Sequence, residues 1–117
     1  MFLTAYQTYY QTPELTPFFS RGFGMRLLSV LYEASMKKNP LGISEAHALM
    51  TPPKPQYATF RQFIGELEAQ GLVIYEAPEP ELSKQKVLRL SHTVYRLIDT
   101  LEAQLFEQTL IERAGMG

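Results

Sequence analysis

Hydrophobic residues recur at helical spacing near the middle of the chain. Four of them fall at positions i, i+3, i+4 and i+7 within residues 56–70: Phe60, Phe63, Ile64 and Leu67. This spacing places them on one face of a helix and predicts that the face is buried. Gly71 follows as the left-handed residue that ends many helices, and residues 72–75 favour β-structure. The pattern predicts a helix that leads directly into a strand.

The flanking pattern predicts three more helices and a return strand. Ser20 and Ser44 are candidate N-caps for helices over residues 21–36 and up to residue 50, and the prolines in residues 51–55 force a turn. Residues 77–81 form a Pro/Glu-rich hairpin tip, and residues 86–90 alternate as the return strand. Ser91 caps a last helix to about residue 113. Its apolar stripe lies near heptad spacing: Val94, Leu97, Ile98, Leu101 and Leu105.

Length and composition favour one domain. The 117 residues are 45% hydrophobic, enough for a modest core. We expect a single domain over 1–117, with an aromatic N-terminal extension (1–20), a central unit (43–91) and a long last helix (92–113). The absence of cysteine excludes disulfides and thiolate chemistry. No apolar run suits a bilayer and no signal peptide is recognisable, so we expect no membrane partner and a cytoplasmic location.

The formal net charge is only −1, but the charges are unevenly distributed. Residues 66–81 carry five acids and no base, whereas residues 82–98 carry four bases and no acid. Proteins that bind DNA neutralise phosphates with Lys and Arg. Because the whole chain is not basic, a basic surface for DNA must here be confined to one part of the molecule.

Three segments carry a resemblance to a known family: Thr59-Phe60-Arg61-Gln62-Phe63-Ile64, residues 67–73 and residues 88–91. Together with the order of the elements, they resemble the MarR-like branch of winged-helix regulators over about residues 43–101. The resemblance implies a mainly α (α+β) fold, a winged helix-turn-helix with a two-stranded wing and a long C-terminal dimerisation helix. It also implies a homodimer on double-stranded DNA, with a recognition helix in the major groove.

The predicted recognition helix has a polar side suited to reading bases. Arg bonds guanine, Gln bonds adenine, and Thr contacts a base or a phosphate. Lys54 lies where the helix N-terminus favours a phosphate, and Lys84 and Lys86 offer a phosphate-binding edge on the wing. The predicted DNA-binding residues are Lys54, Gln56, Tyr57, Thr59, Arg61, Gln62, Lys84 and Lys86. The alternative is an ordinary solvated helix face.

The apolar stripe of the last helix predicts dimerisation through Val94, Leu97, Ile98, Leu101 and Leu105. The alternative is packing against the chain's own N-terminal segment. A second functional hypothesis is a winged-helix protein-interaction module, such as a phage or plasmid accessory or assembly factor, without strong DNA binding. The near-neutral charge, the acidic wing and the aromatic N-terminus motivate that hypothesis.

Enzymatic residues are not recognisable in the sequence. His47 and His92 have no partner at metal-ligand spacing, and each is most simply a surface or partly buried histidine. There is no glycine-rich phosphate loop and no serine in a nucleophile-elbow setting. We therefore predict no catalytic activity, no metal and no cofactor.

Overall fold

The computed structural model describes residues 7–77 and 86–116. Residues 7–10 are helical and are followed by a 3-10 helix, four α-helices and two strands. Their bounds are Pro13–Ser20 (3-10), α1 Gly24–Met36, α2 Ile43–Leu49, α3 Tyr57–Ala69, β1 Val73–Glu76, β2 Val87–Leu90 and α4 His92–Met116. Residues 78–81 of the predicted hairpin tip, and Lys84, lie outside the described residues.

The two strands form an antiparallel pair in which Val73 lies opposite Leu90 and Tyr75 lies opposite Leu88. A single bridge joins Leu41, between α1 and α2, to the other edge of β2, where the Leu88 N–H donates to the Leu41 carbonyl at 2.7 Å. The chain thus has a mainly helical α+β fold with a two-stranded antiparallel sheet, the coarse class that the sequence predicts.

The core takes residues from every element. All four residues of the predicted α3 stripe are buried, which confirms that prediction: Phe60, Phe63, Ile64 and Leu67. Phe23, just before α1, meets the Phe63 ring edge-on at 5.2 Å. Leu15 and Phe18 bring the 3-10 helix into the same cluster. Burial of its stripe fixes which side of α3 faces outward.

Two predicted helix ends are confirmed. The Val94 N–H donates to Ser91 Oγ at 3.3 Å, so Ser91 caps α4. Gly71 has a φ of 75°, and its N–H donates to the Glu68 carbonyl while the Leu72 N–H donates to the Leu67 carbonyl. This pair of bonds is a Schellman motif, which requires a left-handed residue at the position of Gly71. The motif turns the chain from α3 into β1.

Two predicted caps are wrong. Ser20 is the last residue of the 3-10 helix, and its hydroxyl donates to the Pro17 carbonyl at 2.9 Å. The helix after it starts only at Gly24, where a side chain would collide with the Phe18 carbonyl oxygen. Ser44 lies inside α2, because Gly42 occupies the N-cap and donates its N–H to Glu45 at 3.2 Å.

The prediction for the last helix is corrected in part. Val94, Ile98 and Leu101 are buried in the core of their own chain, so they are not available to a second copy. Leu97 and Leu105 are half-buried and pack against the same core. Most of the stripe is therefore buried within its own chain.

Two tyrosines hold α4 against earlier parts of the chain. The Tyr9 hydroxyl donates to Glu102, and the Tyr32 hydroxyl donates to Asp99 at 3.1 Å. Burial and the bond to Glu102 raise the pKa of Tyr9 well above its ordinary value. Loss of hydration and the bond to Asp99 raise the pKa of Tyr32 to about 12.

Within the described residues, no helix combines the length and apolar character needed to cross a membrane.

Candidate nucleic-acid interface

The polar side of α3 faces solvent, as its buried stripe requires. Gln56, Tyr57, Arg61 and Gln62 are exposed, and Thr59 is half-buried. Arg and Gln side chains with free ends are the types that bond base edges, so this surface has the required donors. The structure thus gathers five of the predicted contact residues on and just before one helix.

Arg61 shares a shallow groove with the hairpin. The groove has a volume of about 240 Å³ and is lined by Ile43, Arg61, Ile64, Gly65, Glu68, Tyr75 and Lys86. Lys86 is exposed, and its Nζ lies 5.5 Å from the centroid of the Tyr75 ring, a cation–π contact. Two predicted contact residues from separate elements therefore lie on one concave surface.

Two arginines form ion pairs with carboxylates on α3 and on the hairpin. Arg21 lies 3.5 Å from Glu66 on α3, and Arg89 lies 3.7 Å from Glu76 across the hairpin. Both pairs are exposed, so each contributes little to stability, although it lowers the local negative charge. Among the described residues, Glu68 has no ion pair. It is the acid that faces the groove beside Arg61 and Lys86.

The turn before α3 is held by two side chains that the sequence did not single out as contacts. Arg26 of α1 donates from Nη1 to the carbonyls of Thr51, at 2.8 Å, and Pro53. His47 of α2 bonds the Pro55 carbonyl at 2.6 Å. A carbonyl only accepts, so His47 Nε2 carries the proton. These bonds fix a segment in which Lys54 is exposed.

Tyr57, the first residue of α3, is held by α2. Its hydroxyl lies 3.3 Å from Ser44 Oγ, and its ring meets the His47 imidazole edge-on at 5.6 Å. The same imidazole lies 5.2 Å from the Phe60 ring, which connects the surface of α3 to the core. The only sequence signal for this arrangement is the density of prolines between Thr51 and Gln56.

The part of the chain that the structure describes contains no group of three or more His, Asp or Glu side chains that could hold a metal ion. His47 is half-buried and already bonded to Pro55, and His92 is exposed at the start of α4.

Comparison with known proteins bears on the fold alone. No protein-family model matches the chain, and no curated protein matches it. The chain is similar in structure to AF1382 from Archaeoglobus fulgidus, with a TM-score of 0.52 and 14% sequence identity. The alignment covers 71% of this chain and 84% of that one. At this identity the likeness shows a shared fold.

Proposed function

We propose that this chain is a DNA-binding transcriptional regulator of the MarR-like winged-helix type, which acts as a homodimer on a pseudo-palindromic site. In this proposal α3 is the recognition helix and the hairpin is the wing. The order of α1, the bridge at Leu41, α2, α3 and the hairpin supports a winged helix. The observation that carries the proposal is the groove shared by Arg61 and Lys86 beside the exposed polar side of α3.

The contacts divide into two kinds. Arg61 and Gln62 extend from the outer side of α3 and would bond base edges in the major groove. Lys54 on the turn and Lys86 on the hairpin flank that side and would bond phosphates, which position the protein without reading sequence. Lys84 lies outside the described residues and stays a predicted phosphate contact.

The distribution of charge along α3 determines how the helix would enter the major groove of DNA. The cations Lys54 and Arg61 lie at or before its first two turns, whereas Glu66 and Glu68 lie in its last two. Carboxylates close to phosphates are repelled. The N-terminal half of α3 would therefore be inserted, with the C-terminal half tilted away from the duplex.

The far end of α4 supports a second copy as partner. Phe106, Leu110 and Ile111 are 64%, 49% and 71% exposed. Leu110 lies nine residues after the buried Leu101, which places it about half a turn round the helix from the core. Phe106 lies within about 40° of Leu110 around the helix axis, so these two exposed apolar groups share a side of α4 that faces away from the core.

Four exposed residues of α4 have the spacing of a helix-packing seam. Ala103, Phe106, Leu110 and Ala114 are exposed and follow one another at intervals of three, four and four. Helices pair along such seams, and small residues allow close approach. A two-fold pair of such helices would bury both seams and give the proposed dimer its contact.

The test is selection of binding sites from a pool of random duplexes, followed by affinity measurements on the selected site. We expect a two-fold symmetric site, and Arg61→Ala should weaken binding by about 1–3 kcal/mol and relax the preference at one base pair in each half-site. Gln104→Ala, an exposed residue of α4, is the control and should leave both unchanged. No enrichment of any sequence, or an unchanged preference in Arg61→Ala, would contradict the proposal.

One observation favours the second hypothesis, a winged-helix module that binds protein rather than DNA. Glu68 faces the groove beside Arg61 and Lys86 and has no ion pair among the described residues. An unpaired carboxylate in the groove suits a basic protein segment better than a phosphate backbone. Under this hypothesis the wild-type chain does not bind duplex DNA at micromolar concentration, even at low salt.

A further inference from the structure

We infer that Arg26 and His47 are positioning residues, which fix the proline-rich turn before α3 and thereby set the orientation of the DNA-reading helix. The inference rests on the proposed function and adds to it how the reading surface is held. Neither residue needs to contact DNA for this role. Both act through the turn of residues 51–56.

The turn cannot be fixed by its own backbone. Residues 52, 53 and 55 are prolines, so half of its six residues have no N–H. Side chains of other helices donate hydrogen bonds to three of its carbonyls instead. Arg26 holds the carbonyls of Thr51 and Pro53, and His47 holds that of Pro55. The donors come from α1 and from α2, the helix that precedes the turn.

The bonds lead directly to the reading surface. The Pro55 carbonyl belongs to the residue before Gln56, the N-cap of α3. The His47 ring also contacts Tyr57 and Phe60, the first and fourth residues of α3. One imidazole therefore connects the turn, the outer surface and the buried side of the helix. A hydrogen bond from a charged donor such as Arg26 is stronger than a neutral one, which suits it to fixing two carbonyls at once.

The experiment compares variants that keep or remove the donors. Arg26→Met keeps the aliphatic stem and removes both bonds, and Arg26→Lys keeps a cationic donor. His47→Phe keeps the ring contacts without a donor, and His47→Gln keeps a donor near the Nε2 position. Lys37→Met, just after the other end of α1, removes one charge that pairs with Glu33 rather than with the turn and is the matched control.

Two measurements are made on each variant. Amide hydrogen exchange is followed at two turn amides, Met50 and Phe60, whose N–H groups donate to the His47 and Gln56 carbonyls at either end of the turn. Amides from the middle of α3 serve as an internal reference. Affinity for a random-sequence duplex is measured across a salt series, because the slope of affinity against salt counts phosphate contacts. A residue that itself contacts phosphate lowers the slope by about one when it is removed, whereas a positioning residue leaves it unchanged.

We expect Arg26→Met and His47→Phe to accelerate exchange at the turn amides and to weaken duplex binding, each by about tenfold, at an unchanged salt slope. Arg26→Lys and His47→Gln should recover most of both effects, and Lys37→Met should leave turn exchange unchanged. Three results would overturn the inference: faster turn exchange with unchanged affinity, a lower salt slope in Arg26→Met, or acceleration spread evenly over the core. If the wild-type chain does not bind duplex at all, the proposed function fails, and turn exchange alone then decides whether the two residues hold the turn.

Discussion

Helices α3 and α4 differ in how many of their apolar side chains are buried within the chain. Every large apolar residue of the α3 stripe is buried within the chain, and the opposite side is polar. By contrast, α4 buries its first half and leaves Phe106, Leu110 and Ile111 exposed toward its end. A helix whose apolar stripe is fully buried presents a polar surface, which suits a polar partner. Exposed apolar side chains suit a partner that is itself apolar. Our proposal of DNA as the partner of α3 and of a second copy as the partner of α4 draws on this difference.

The largest effect is expected where α3 meets the core. Phe63→Ala removes a fully buried ring that packs against Phe23, and it should lower the free energy of unfolding by about 3–5 kcal/mol. Urea unfolding followed by circular dichroism measures this change. Phe106→Ala is the matched control and should alter the free energy of unfolding of the monomer by less than about 0.5 kcal/mol. Equal losses in the two variants would remove the distinction between the helices.

The next effect concerns association through α4. Leu110→Glu introduces a charge into the exposed apolar seam and should weaken self-association by about 2 kcal/mol or more. Sedimentation equilibrium measures the dimer dissociation constant. Gln104→Glu adds the same charge at an exposed position that is not part of the seam and should change association much less. A dimer that tolerates Leu110→Glu would show that copies meet elsewhere.

A smaller effect is expected from the cation on the hairpin. Lys86→Met removes a side chain that lines the groove with Arg61, and it should weaken duplex binding about equally for all sequences. The slope of affinity against salt should fall by about one. Titrations over a salt series measure both quantities. A change in sequence preference with an unchanged slope would assign Lys86 to base reading instead.

The smallest effect is a dependence of stability on alkaline pH. The pKa of Tyr32 is raised from its ordinary value of 10.0 to about 12, and that of Tyr9 is raised further. Because a tyrosine is neutral when protonated, a raised pKa means that the folded state disfavours ionisation. The stabilisation is complete below about pH 10 and is lost as the pH rises toward and beyond 12.

Thermal unfolding across this alkaline range measures the loss. Tyr9→Phe removes the buried hydroxyl and should flatten the decline of the melting temperature with pH. Tyr75→Phe, in the hairpin, provides a control that keeps both tyrosine–carboxylate bonds to α4. An equally steep decline in Tyr9→Phe would show that other groups cause the alkaline loss.

Local signals were sufficient to predict the centre of the molecule. The α3 stripe, the left-handed Gly71 and the Ser91 cap each depend on residues within a few positions of one another, and all three are confirmed. The outward direction of Arg61 and Gln62 followed from the same stripe. These features are encoded by helix period and end chemistry alone.

Features that depend on distant contacts were not predictable in the same way. Ser20 has the chemistry of a cap, but the 3-10 helix packs so closely on Gly24 that α1 begins later. Arg26 contacts carbonyls that are 25 and 27 residues away, and nothing nearby in the sequence indicates it. The α4 stripe looked suited to a partner because its spacing does not reveal that Tyr9 and Tyr32 bring the earlier chain against it.

The most direct test of the DNA-binding proposal is titration of the wild-type chain with double-stranded DNA over a range of salt concentrations. We expect binding whose logarithmic affinity falls linearly with the logarithm of salt concentration, with a slope that reflects several phosphate contacts for each dimer. The absence of binding at low salt and micromolar protein, in a sample that is folded and dimeric, would contradict the DNA-binding proposal.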